Sequence, residues 1–105
     1  MKDRSEILIK IKSIVNTFIT DADVLLFGSQ ARNEANSNSD YDILVITNKT
    51  LTLKERLFYK TIIRKELLKH GVLTDVLIQT KKDVEAKRNI SGHIIKTIMN
   101  NFVLL

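Results

Sequence analysis

The chain has 105 residues, with 17 basic and 12 acidic side chains, a formal charge of +5, and neither cysteine nor proline. That length holds one domain, residues 1–105, and is too short for two. The missing cysteines exclude disulfides and thiolate metal sites, and no apolar run approaches the roughly 20 residues of a membrane span.

The basic balance suits a polyanionic partner, but the cations are spread along the chain, so a nucleic-acid surface is not favoured. The first residues lack the apolar stretch and cleavage site of a secretory leader. A cytoplasmic protein is expected.

From Asp3 to about Thr20 the pattern reads as a helix, because Ile7, Leu8, Ile11, Ile14, Val15, Phe18 and Ile19 recur at helical spacing. Asp3 with Glu6 resembles a capping box. Ala22 to Phe27 reads as a short strand ended by Gly28. Ser29 to about Glu34 opens a helix, Asn33 to Ser39 is a polar loop, and Asp42 to Thr47 is a second buried strand. Leu51 to His70 is a long helix stopped by Gly71. Val72 to Thr80 is a third strand, Lys81 to Arg88 a short charged helix or loop, and Ser91 to about Phe102 a last helix. Strands alternating with helices give an α/β (α+β) class with a small three-stranded sheet flanked by helices.

On the long helix, Leu53, Leu57, Ile63, Leu67 and Leu68 fall in one broad arc, expected to pack on the sheet. Phe58 and Ile62 fall nearly opposite. They are expected either to contact another chain, a second copy or a helical partner, or to be buried by the first or last helix.

Asp40 and Asp42 open the second strand. Side chains alternate faces along a strand, so both point the same way. Two unpaired carboxylates side by side repel, and burying them is costly. A divalent cation removes both problems, and an oxygen site of this size suits Mg²⁺, which also takes ligands from substrate phosphates. Gly28-Ser29 lies where the first strand turns into a helix. Free backbone N–H groups at a helix start bind phosphate, glycine allows close approach, and the Ser29 hydroxyl adds a donor.

Together these residues describe a nucleoside triphosphate site. Asp75 interrupts the apolar run "GVLTDVLIQT". Paired with the second strand, it would be a third metal ligand or a general base. Arg32 would reach either phosphate or a structural carboxylate. The plainer readings are an N-cap for Ser29, a cap or loop solvation for Asp40 and Asp42, and an exposed strand start for Asp75.

Gly28-Ser29, ten residues, then Asp40-Tyr41-Asp42 resembles the G-S-x10-D-x-D signature of the nucleotidyltransferase superfamily. "GSQAR" and "SDYDILV" are similar to its small stand-alone members, the minimal nucleotidyltransferases. One departure is Asn33, where the family usually has glycine.

The resemblance covers Val24 to about Ile78. It implies a nucleotidyltransferase fold, with a small mixed β-sheet flanked by helices. It implies transfer of AMP from ATP, with Gly28, Ser29 and Arg32 on the nucleotide and Asp40, Asp42 and Asp75 as catalytic acids holding two Mg²⁺ ions. It further implies a helical HEPN-type toxin as partner, this chain being the antitoxin that modifies it. Two other functions stay open: an antitoxin that neutralises by contact alone, and transfer to a small molecule.

Overall fold

The computed structural model describes residues 3–31 and 40–105. Helix α1 (Arg4–Phe18) precedes strand β1 (Asp23–Phe27), and a single turn, α2 (Gly28–Ala31), follows it. Strand β2 (Tyr41–Thr47), helix α3 (Leu53–Lys69), strand β3 (Thr74–Thr80), helices α4 (Lys81–Lys87) and α5 (Ile94–Asn100) and strand β4 (Val103–Leu104) complete the order.

The helix ends follow local chemistry. Asp3 caps α1 by accepting from the Glu6 N–H at 2.9 Å. Thr52 and Glu55 make a reciprocal capping box on α3. At the other end of α3, Gly71 takes φ 75°. There the N–H of Val72 donates to the Leu67 carbonyl and that of Gly71 to Leu68, a Schellman closure that glycine permits. Thr80 and Asp83 form a second capping box, which settles 81–87 as helix rather than loop. The last helix starts at Ile94 rather than Ser91, because the His93 side chain caps it by accepting from the Ile95 N–H. His70 and His93 are thus both helix-end residues.

The sheet has order β3-β2-β1-β4 among the described residues. β1 is antiparallel to β2 and to β4, and β2 is parallel to β3 with α3 as the crossover. The fourth strand corrects the three-stranded expectation. Val103 and Leu104 pair with Leu26 and Leu25, so the expected helix to Phe102 ends at Asn100 and the chain covers the β1 edge. Two residues carry no period that sequence could reveal.

Each face of the sheet has its own core. On one face, Ile11, Val15 and Ile19 of the α1 region and Ile63 and Leu67 of α3 pack on Val24, Leu26, Ile43, Val45 and Val76. On the other, Val84, Ile95 and Ile98 cover Leu25, Leu44 and Ile46. The alternation along each strand sends successive side chains to opposite cores.

The sheet-facing arc on α3 is narrower than the sequence suggests. Ile63 and Leu67 are fully buried, but Leu53 is 84% exposed, and Leu57 and Leu68 are exposed too. Only the strip centred on Ile63 and Leu67 meets the sheet. Phe58 is 60% exposed and Ile62 half-buried, so neighbouring helices do not bury Phe58.

One carboxylate pins the far end of β2 to the start of β1. Asp21 accepts from the Thr47 hydroxyl at 3.0 Å and from the Asn48 N–H at 2.7 Å. Burial pushes its pKa up, but these hydrogen bonds outweigh that and hold it below the usual value. Asp21→Ala should cost about 1–3 kcal/mol at neutral pH, because the buried Thr47 hydroxyl loses its acceptor. The folded-state pKa is depressed, so this contribution is present above the ordinary Asp range and is lost as pH falls through the lowered value. Denaturant melts of wild type and mutant should therefore converge at acid pH. A gap that stays constant would assign the loss to packing alone.

Candidate active site

The end of the sheet where β2 begins gathers the residues singled out in the sequence. In the antiparallel ladder Phe27 lies opposite Asp42, which carries Gly28 directly past the Asp42 carboxylate. In the parallel ladder Asp42 lies opposite Asp75, and side chains in register on neighbouring strands share a face. Asp40 sits two residues before Asp42, just ahead of the strand. Tyr41, between them, packs against the α1/α3 core on the other face.

Gly28 has φ 74°, in the left-handed region that glycine enters without cost. A Cβ there would overlap the Oδ2 of Asp42 and stand 3.3 Å from its Cγ. So both the backbone angle and the neighbouring carboxylate require glycine. Ser29 follows, half-buried in the first turn of α2. The turn is held from outside by Arg4, whose guanidinium donates to the Gln30 carbonyl at 2.7 Å. The sequence offers no signal for this contact between residues 26 apart. Arg32 and Asn33 lie outside the described residues.

The electrostatics agree with the register. Burial raises the pKa of Asp42 above the ordinary carboxylate value, and the negative charges of Asp75 and then Asp40 raise it further. Asp42 therefore feels the charge of both other acids. The three are not a finished metal cage, however. Among the described residues, no three His, Cys, Asp or Glu side chains are gathered to hold an ion. The expected three-carboxylate metal set is thus not preformed. Asp40 and Asp75 are both exposed.

The model of the nucleotidyltransferase domain family matches residues 8–105. The chain belongs to that family. This nucleotidyltransferase is also similar to a Methanocaldococcus jannaschii protein named "Putative protein adenylyltransferase", at 33% identity over 72% of this chain and 79% of the relative.

Its fold is that of a solved structure described as a "putative minimal nucleotidyltransferase", with TM-score 0.64 and 22% identity over 99% of this chain and 97% of the other. A second similar structure is the MNT antitoxin complexed with a tri-AMPylated HEPN toxin of Shewanella oneidensis, with TM-score 0.61 and 18% identity over 97% and 71% of the two chains. The nucleotidyltransferase fold implied by the sequence motif is therefore present, with a four-stranded mixed sheet. Among the described residues, no helix is long and apolar enough to cross a membrane.

Proposed function

We propose that this nucleotidyltransferase transfers AMP from ATP to a hydroxyl of a HEPN-type partner protein, as the cytoplasmic antitoxin of such a pair. The observation that carries the reading is the double register at Asp42, which brings the Gly28 turn and Asp75 to one carboxylate. The similar antitoxin complex, with its AMP-bearing toxin, supports the choice of acceptor.

The residues fit a divalent cation. The donors are hard carboxylate oxygens, and Asp42 carries the signature of a cluster short of positive charge. Mg²⁺ needs only one or two protein carboxylates when substrate phosphates supply the rest, so a preformed three-acid cage is not required. Asp40 and Asp42 would hold it, with Asp75 beside them. Once bound, it would neutralise charge on the triphosphate.

The chain's own residues supply the remaining steps. The Ser29 hydroxyl, in the turn that follows Gly28, offers a donor to a phosphate. Asp75 is exposed, as a base meeting the hydroxyl of another protein must be. It takes the hydroxyl proton as the oxygen bonds to the α-phosphorus. The α–β bridging bond breaks, and pyrophosphate leaves.

The test is incubation with α-labelled ATP, Mg²⁺ and the purified HEPN-type partner. Label should appear covalently on the partner. A stable complex without label would favour neutralisation by contact and sink the transfer reading. Asp75→Ala should lower turnover by about 10²-fold or more while nucleotide binding stays within a few-fold, the pattern of a lost general base. Equal turnover would return Asp75 to a surface role.

A further inference from the structure

A second feature lies on the opposite face of the sheet from the three acids. The last turns of α3 and the start of edge strand β3 enclose a cavity of about 230 Å³, with Arg64, Lys65, Leu68, Val72, Leu73 and Thr74 among its walls. Leu68 is 57% exposed and Leu73 53%, so its rim is apolar and open to solvent. Thr74 is 6% exposed, and its hydroxyl is buried without a hydrogen-bond partner. A buried polar group left unpaired is uncommon and calls for an explanation. Here the residue lines the cavity while its hydroxyl stays out of reach of solvent.

The charges around the cavity have one sign. α3 carries only two acids, Glu55 and Glu66. Glu55 closes the capping box with Thr52, and Glu66 faces Lys69 and His70. Among the described residues, no carboxylate pairs with Arg64 or Lys65. Two unpaired cations and an apolar rim together ask for a ligand that offers both apolar surface and anionic groups.

We infer that this groove is a docking site for an acidic segment of a partner protein, one that seats an apolar side chain between Leu68 and Leu73 and sets carboxylates against Arg64 and Lys65. Size favours an anchor side chain over a free metabolite, since small-molecule sites run to roughly 300–1,000 Å³ and single anchors fill smaller pockets. Charge disfavours a second copy, because two such cationic faces would repel. A bilayer suits it less well, because Arg64 falls between Leu57 and Leu68 on the helix instead of flanking a clean apolar stripe. The inference does not depend on the transfer reaction, whose acids lie on the other face.

Two synthetic helical peptides provide the probe, identical except that one carries Glu and the other Lys beside the same leucines. The Glu peptide should bind the full chain and perturb backbone NMR signals from Arg64 to Thr74. Arg64→Glu with Lys65→Glu should weaken it at least tenfold and improve binding of the Lys peptide. Equal binding of the two peptides, no binding of the Glu peptide at about 1 mM, or equally tight binding to phosphatidylserine vesicles would overturn the assignment. So would self-association in sedimentation that the double charge reversal abolishes.

Discussion

Asp42→Asn should abolish nucleotidyl transfer while making the ligand-free protein more stable. The two effects have one origin. Asp42 is the acid on which the register converges, opposite Phe27 on one side and Asp75 on the other. Burial, then Asp75, then Asp40 raise its pKa, so its ionised form is disfavoured.

A group whose folded-state pKa is raised favours folding below its unfolded value and loses that contribution as pH rises through the folded value. At neutral pH wild-type Asp42 is therefore a cost that asparagine removes. The gain should be on the order of 1 kcal/mol, the usual worth of one solvent-accessible charge contact, or about 4 °C in a domain of this size. It should fade as pH falls into the ordinary Asp range, where both proteins are neutral at this position.

Transfer should drop by about 10³-fold or more, as when a charge-handling group is removed from a phosphoryl-type site. Melts from pH 3 to 8 and the labelled-ATP assay measure the two halves. A mutant that is inactive but less stable at pH 7 would mean that Asp42 holds the fold together, and activity loss would then say nothing of chemistry.

Much of this site was legible because the constraint is local in sequence. Same-face spacing of Asp40 and Asp42 follows from strand alternation alone, and a glycine ending a strand marks a backbone angle that side chains avoid. Placing Asp75 opposite Asp42 needed the pairing of β2 with β3, which the family resemblance implied and the parallel register supplies. Arg4 was not legible, since its contact with the Gln30 carbonyl joins two elements with no shared pattern. Nor was β4, where two residues gain their strand conformation only from the free edge of β1.

The width of the buried strip on α3 was misjudged for a related reason. A helical wheel sorts residues by angle, but how much of the arc is covered depends on the neighbour's curvature and reach. Ile63 and Leu67 are covered while Leu53, Leu57 and Leu68 are not. The wheel did show that apolar surface on this helix exceeded what one sheet could bury. Of the uncovered residues, Leu68 lines the groove beside Arg64 and Lys65.

Gly28→Ala should damage both folding and transfer, and for two separable reasons. The first is the backbone. At φ 74° an L-residue pays about 1 kcal/mol or more that glycine does not. The second is space. The new methyl would overlap Oδ2 of Asp42, with Cγ only 3.3 Å away, and a carboxylate in register between two strands cannot swing far without leaving its position against Asp75. Together these should cost about 2–4 kcal/mol, in the range of strained or overpacked substitutions.

A double-mutant cycle separates them. In an Asp42→Ala background the overlap is gone and only the backbone term remains, so Gly28→Ala should cost about 1 kcal/mol there. The difference between the two backgrounds measures the contact between this turn and the acid. If Gly28→Ala costs the same in both, the glycine is needed for its angle alone, and the turn does not set the position of Asp42. If the costs differ as expected, then in the Asp42 background Gly28→Ala should also slow transfer more than it weakens nucleotide binding. A displaced acid spoils the geometry of the reacting atoms before it spoils the grip on the triphosphate.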